Sequence, residues 1–96
     1  MAIQSFGDRR TEELFVRGRV ARGAGWSSAA PIARRKLDML HYASDLRDLR
    51  APPGNRLEKL SGTLAGFHSI RINQQWRIVF RWTAAGPEEV TIVDYH

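Results

Sequence analysis

A strand, a polar turn and a second strand are indicated by the segment Ser69-Ile70-Arg71-Ile72-Asn73-Gln74-Gln75-Trp76-Arg77-Ile78-Val79-Phe80-Arg81-Trp82. In its second half a large apolar side chain occupies every other position, and a period of two is typical of a strand with one buried face. The side chains predicted on that face are Trp76, Ile78, Phe80 and Trp82. Arg77, Val79 and Arg81 fall on the other face. The segment therefore predicts an antiparallel hairpin with an apolar face and an arginine-rich face.

The rest of the C-terminal half extends this hairpin into a small sheet. Strands are predicted at about 67–73, 76–82 and 89–95, and residues 2–6 could add a short first strand. Pro52-Pro53-Gly54 ends the preceding helical half. Between this break and the sheet, Arg56 to Leu60 is expected to form one helical turn.

Two helices are predicted in the N-terminal half. Asp8 is a suitable N-cap for the first, which is expected to run to about Arg19. Its inward residues are predicted to be Leu14, Phe15 and Val20.

Ser27 or Ser28 is expected to cap the second helix, with Pro31 in its first turn. Its apolar stripe is predicted to comprise Ile32, Leu37, Leu40, Ala43 and Leu46. The expected fold class is α+β: one domain, residues 1–96, with an N-terminal αα-hairpin on one face of a small antiparallel sheet.

Composition excludes several classes of site and suggests an anionic partner. The 96 residues contain no cysteine, which excludes disulfides, thiolate metal sites and a cysteine nucleophile. No long apolar run is present, so we expect a cytoplasmic protein without a membrane span. Net charge is +5, and arginine, whose planar fork suits phosphate, supplies most of the basic side chains. A nucleic-acid backbone and an acidic protein are both compatible with this charge.

The last three residues, Asp94-Tyr95-His96, follow an apolar strand and bring together a carboxylate, a phenol and an imidazole. Three acid/base-capable groups beside an arginine-rich sheet indicate chemistry on a phosphodiester. The plainer interpretation is a frayed chain end without a role. A metal site is disfavoured, since Asp94 and His96 would supply only two ligands.

At the level of motifs, the chain resembles HigB-type toxins of the RelE superfamily. Five segments in the same order carry the resemblance: Ile3–Phe6, Ala33–Leu40, Pro53–Glu58, the Ser69–Ile78 hairpin and Ile92–His96. The resemblance implies a RelE-like, microbial-ribonuclease-like fold. It also implies a ribosome-dependent endonuclease that cuts mRNA by attack of the RNA 2′-hydroxyl on the adjacent phosphate. No metal or other cofactor is implied. The implied partners are the bacterial ribosome, mRNA and a helix-turn-helix antitoxin of HigA type, which would bring any DNA binding.

The resemblance also implies roles for individual residues. Asp94 and His96 are candidates for proton transfer, Tyr95 for stacking or hydrogen bonding, and Arg77 for stabilising the phosphate. Contacts to RNA or the ribosome are expected from Arg56, Lys59, Arg71, Asn73 and Arg81.

Some positions depart from the pattern of these toxins. Related toxins commonly carry a lysine immediately before the glycine of the loop, where this chain has Ser61 before Gly62. An alternative is therefore a toxin-like module that binds its antitoxin or RNA without cutting. Without the resemblance, a solvated sheet face is the favoured interpretation of Arg71, Arg77 and Arg81, because alternating strand arginines are usually solvated. His68 is expected at the boundary of the core, and Trp26 as a contact for the antitoxin or ribosome.

Overall fold

The computed structural model describes residues 2–94, which form two α-helices and one four-stranded antiparallel sheet. Helix α1 spans Arg9–Arg17 and α2 spans Ala30–Tyr42. In spatial order the strands are β1 (Glu58–Lys59), β2 (Phe67–Arg71), β3 (Trp76–Thr83) and β4 (Gly86–Asp94). The predicted α+β fold class is confirmed. No helix among residues 2–94 is long and apolar enough to cross a membrane.

The core lies between α2 and one face of the sheet. Leu37 and Leu40 on α2 are fully buried, as is Phe80 on β3. Ile70 and Ile78 stand directly opposite each other in the β2–β3 register and join the same cluster. Fully burying such a side chain contributes about 1.5–3 kcal/mol, so this cluster fixes which face of the sheet is covered.

Helix α1 is fastened to β4 by a buried hydroxyl. The backbone N–H of Ile92 donates to Thr11 Oγ1 at 3.1 Å, and Thr11 is fully buried. Asp8 caps the helix as predicted, because its carboxylate accepts from the N–H of Thr11. The helix ends at Arg17, two residues earlier than predicted, because the next residue, Gly18, has a φ of 67° in the left-handed region. Val20 therefore falls outside the helix and is exposed rather than turned inward.

Helix α2 also differs from the prediction at its ends. Ser27–Ala29 forms a separate 3₁₀ turn, and no side-chain hydrogen bond caps α2, which begins at Ala30. Ile32 is 38% exposed and does not join the buried stripe. Leu46 lies in a further 3₁₀ turn, because the backbone becomes extended at Ala43 and ends α2 before it.

The segment between the helices contributes to the core. Trp26 is 4% exposed, so the prediction that it contacts a partner is wrong. Gly25 allows close packing here: a Cβ at this position would lie 2.9 Å from the ring of Trp76. The position of Trp26 in a loop favours a surface contact, but its large apolar area is buried instead.

Residues 2–6 run beside β4 and form only one bridge of a strand, between Phe6 and Val90 in parallel orientation. Hydrogen bonds run from Gln4 N to Pro87 O and from Val90 N to Ser5 O. The predicted first strand is thus an edge segment with partial pairing.

The predicted helical turn at Arg56–Leu60 is wrong. Arg56 has a φ of 45°, which is incompatible with continuing a right-handed helix, and Glu58–Lys59 instead forms β1. This short strand pairs with β2 through the registers Glu58–Ser69 and Lys59–His68. Strand β1 places Glu58 on the sheet, next to β2.

Candidate functional site

A cleft of about 290 Å³ opens on the sheet face opposite the helices. Its face follows from the register: Arg71 pairs with Arg77, whereas the neighbouring pair Ile70–Ile78 points into the core. The residues lining the cleft are Arg56, Glu58, Arg71, Asn73, Gln74 and Arg77. Four of these were predicted from the sequence as site residues.

Arg77 forms the floor of this cleft and is 4% exposed. Its Nη1 donates to Glu58 Oε1 at 2.5 Å, and its Nη2 donates to the carbonyl oxygen of Arg56 at 2.6 Å. The interpretation of the strand arginines as a solvated face is therefore wrong for Arg77. A guanidinium held from two sides presents a fixed positive charge, whereas a solvated one samples many rotamers.

The left-handed backbone at Arg56 is held by Asn55, which sequence analysis did not single out. Asn55 is fully buried, and its Nδ2 donates to the carbonyls of Leu49 and Ala51, each at 3.2 Å. Its Oδ1 accepts from Lys36 Nζ on α2. Asn55 thus ties the turn before β1 to α2 and fixes the carbonyl that contacts Arg77. The only signal in the sequence is the turn-forming Pro53-Gly54-Asn55.

Asn73 shapes the rim of the cleft at the β2–β3 turn. Its Oδ1 accepts from the backbone N–H groups of Gln75 and Trp76, at 2.9 and 2.8 Å. Its carbonyl oxygen accepts from Arg71 Nε at 3.0 Å. The side chain of Asn73 therefore stabilises the turn, and its backbone orients Arg71 along the cleft.

Asp94 does not line this cleft. In the β3–β4 register it stands opposite Trp76, while Arg77 stands opposite Val93. Side chains directly opposite each other share a face, so Asp94 belongs to the opposite face from Arg77 at the strand end. Its carboxylate accepts from Gln75 Nε2 at 3.1 Å. The other two residues of the predicted acid/base cluster, Tyr95 and His96, lie outside the described residues.

Lys59 and Arg81, also predicted as RNA contacts, lie away from the cleft. The guanidinium of Arg81 stacks over the ring of Phe67 at 4.8 Å and lies 3.5 Å from the Glu89 carboxylate. Lys59 is on β1 beside His68. The structure therefore brings Arg56, Arg71, Asn73 and Arg77 together and leaves Lys59 and Arg81 outside the group.

His68 lies at the core boundary, as predicted, and stacks on Phe80 with ring centroids 6.2 Å apart. Burial lowers its pKa below the ordinary value, and the positive charge of Lys59 lowers it further. Its buried Nδ1 has no hydrogen-bond partner within residues 2–94. His68 is not among the residues lining the cleft.

Electrostatically the cleft is strongly positive. Three arginines and one carboxylate line it, and that carboxylate, Glu58, is engaged by Arg77. Neither Arg56 nor Arg71 has a carboxylate within 4 Å in the part of the chain that the structure describes. Such a site suits a phosphate group held above a fixed cation.

Comparisons with known proteins agree with the sequence resemblance. Residues 4–96 match the HigB-like toxin family, described as RelE-like toxins of the type II toxin-antitoxin system HigB. The chain is 54% identical over 48 residues to Toxin HigB-1 of Vibrio cholerae serotype O1, covering 50% of each chain. It is 38% identical over 56 residues to an uncharacterized protein of Haemophilus influenzae, covering 58% of this chain and 55% of the relative. The matched segments thus span about half the length of these relatives.

Among solved structures, the chain is similar to one from the YoeB-YefM complex of Staphylococcus aureus. The TM-score is 0.55 at 17% identity, with 100% of this chain and 99% of the other covered. That likeness concerns the fold, whereas the family match rests on nearly the whole sequence. This chain belongs to the HigB-like toxin family.

Proposed function

We propose that this protein is the toxin of a type II toxin-antitoxin system and cuts mRNA on the ribosome. The observation that carries the proposal is the cleft, in which Arg77 is buried and fixed while Arg56 and Arg71 remain without acidic partners among residues 2–94. Membership of the HigB-like toxin family supports the same proposal. We further propose that residues 1–96 form one catalytic domain that acts in the cytoplasm.

The proposed reaction joins the RNA 2′-oxygen to the adjacent phosphorus and breaks the bond from phosphorus to the 5′-oxygen of the next nucleotide. A base must take the 2′-hydroxyl proton, and an acid must protonate the leaving oxygen. The products are a 2′,3′-cyclic phosphate and a 5′-hydroxyl. Negative charge builds on the phosphoryl oxygens in between, and Arg77 on the cleft floor is the group we assign to stabilising it.

For proton transfer we propose His96, with Tyr95 orienting the substrate. Asp94, which lies on the opposite face from Arg77, is assigned to holding the end of β4. Asp94 is at the end of β4 next to the β2–β3 turn, to which its contact with Gln75 ties it. Glu58 lines the cleft, but its carboxylate is engaged by Arg77, so we assign it to positioning that guanidinium. Arg56 and Arg71 then bind the flanking phosphates.

The proposed partners are the bacterial ribosome, the translated message and an antitoxin of HigA type. The toxin is expected to meet DNA only through this antitoxin. The supporting observations are the net charge of +5 and the concentration of unneutralised arginine around the cleft. The small number of acid/base groups fits a reaction in which the ribosome holds the message with its 2′-oxygen in line for attack on the phosphorus.

Primer extension on a translated mRNA, run beside the same RNA without ribosomes, tests the proposal. We expect discrete cuts with ribosomes only, and none at a nucleotide whose 2′-hydroxyl is replaced by hydrogen. Arg17→Gln, which removes an exposed arginine on α1, is the matched control for Arg77→Gln. Cuts that persist at the 2′-deoxy position would exclude this mechanism.

A binding-only module is the second candidate, and one structural observation favours it. Ser61 precedes the 3₁₀ turn Gly62–Leu64, and neither Ser61 nor Gly62 lines the cleft. At the position where related toxins carry a lysine, this chain therefore brings no further cation to the substrate. Antitoxin binding without cuts in either primer-extension lane would support this candidate.

A further inference from the structure

A second groove, of about 490 Å³, adjoins the Arg77 cleft. The two share a wall, because Arg71 and Asn73 line both of them. The other wall is one face of α2, where the spacing i, i+3, i+4, i+7 brings together four side chains. These are Ile32, Arg35, Lys36 and Met39.

The charge of this groove is uncompensated. Arg35, Lys36 and Arg71 line it, and no carboxylate does. None of the three lies within 4 Å of an acidic side chain among the residues described. Lys36 donates to the neutral oxygen of Asn55, and its pKa is lowered, first by burial and then by the charge of Arg35. Cations held close together without counter-ions favour binding of a polyanion.

The floor of the groove is apolar, unlike that of the cleft. Ile72 is 7% exposed at its base, and Met39 and Pro52 also line it. A nucleotide offers both a phosphate for the basic wall and an apolar base face for this floor. In RNA the phosphate and the base belong to the same repeating unit, which matches a basic wall directly beside an apolar floor, so RNA is the occupant we argue for.

We propose that this groove binds the nucleotide that flanks the scissile phosphate in a single-stranded message. Arg35 contacts its backbone phosphate, and Ile72 and Met39 contact its base. The message then runs from the Arg77 cleft across Arg71 to α2. This inference rests on the proposed function and adds a positioning site on a helix outside the residues assigned to the reaction.

The test compares Arg35→Gln with Arg34→Gln, since the two arginines are exposed neighbours on the same helix. Arg34 points elsewhere: its guanidinium lies beside Gly18. Both variants lose one charge and are expected to fold alike. The measurement is fluorescence anisotropy of a short labelled single-stranded RNA over a range of salt, without ribosomes.

For Arg35→Gln we expect about tenfold weaker binding at low salt, as for loss of a hydrogen bond to a charged group. The slope of log K against log salt should become shallower by about 0.7, the value for one phosphate contact on a single strand. Arg34→Gln should bind like the parent protein. Equal binding by both variants, or no binding of single-stranded RNA by the parent, would overturn the inference.

Two further outcomes would assign the groove to an occupant other than the message. An Arg35 effect confined to duplex RNA would place ribosomal RNA, not the message, in the groove. An effect confined to antitoxin binding would assign the groove to a protein partner. Either result refutes the proposed occupant while primer extension with the parent protein still decides the proposed function independently.

Discussion

Arg77 on β3 reaches Glu58 on β1 across the intervening strand β2, with Nη1 and Oε1 2.5 Å apart. Ser69 of β2 stands directly opposite Glu58 and is fully buried. All three side chains share one face of the sheet. The small side chain of Ser69 therefore leaves the space through which the guanidinium crosses the strand.

Enlarging Ser69 should break this crossing. Ser69→Leu is expected to displace the Arg77 guanidinium and to lower the cutting rate on ribosomes by about a hundredfold, the loss typical of one transition-state donor. Ser69→Ala is the matched control. The Ser69 hydroxyl has no hydrogen-bond partner within residues 2–94, so its removal should leave stability and cutting unchanged. Equal cutting rates for Ser69→Leu and Ser69→Ala would contradict the claim that Arg77 needs the space beside Ser69 to reach Glu58.

Neutralising Glu58 tests whether it positions Arg77. Glu58→Gln keeps an acceptor for Arg77 but removes the negative charge that fixes it. We expect the cutting rate to fall about tenfold, with the pH at half-maximal rate unchanged. A shift in the pH profile would instead mean that Glu58 itself transfers the proton.

The parts of this site that could be predicted from the sequence are those whose interacting residues are close together along the chain. The β2–β3 hairpin was predicted because alternation over Trp76–Trp82 is a local signal. Strand β1 has two residues and therefore no periodicity, and its pairing partner Ser69 is eleven positions away from Glu58. The burial of Arg77 depends on that pairing. Strand arginines are usually solvated, which is why the sequence alone favoured exposure.

In the helical half, too, only features with a local sequence signal could be predicted. The buried positions Leu37 and Leu40 were predicted from their spacing, whereas the ends of α2 were not. The anchoring role of Asn55 also could not be read from the sequence. Its partners are on α2 and in the 3₁₀ turn before it, and only the folded chain brings them together.

Replacing Asn55 should destabilise the fold. Asn55→Leu leaves Lys36 Nζ and the carbonyls of Leu49 and Ala51 without the partners they have in the parent. We expect the free energy of unfolding to fall by about 2–4 kcal/mol, measured by urea denaturation. Asn73→Ala, at an exposed turn, should cost about 1 kcal/mol or less. A larger loss for Asn73→Ala than for Asn55→Leu would contradict the account.

His68 should make stability depend on pH. Its folded-state pKa is lowered by burial and by Lys59, so the unfolded chain binds more protons just below the ordinary value of 6.5. The contribution of His68 to the free energy of unfolding is complete above pH 6.5 and is lost as pH falls toward the folded-state pKa. His68→Gln should flatten that part of the curve of unfolding free energy against pH.

The cause of the shift can be checked separately by NMR titration of His68. Lys59→Gln should raise the pKa of His68 toward its ordinary value, because it removes the neighbouring positive charge. Lys36→Gln, on α2, is the control and should leave it unchanged. A His68 pKa at or above 6.5 in the parent protein would contradict the burial described here.

The central claim is that Arg77, fixed at the floor of the cleft, stabilises the reacting phosphate, and single-turnover cutting on message-loaded ribosomes tests it most directly. For Arg77→Gln we expect a rate reduced about 10²–10³-fold, with ribosome binding and antitoxin binding close to those of the parent. A variant that binds ribosomes normally and cuts at the parental rate would show that the cleft is not the catalytic site.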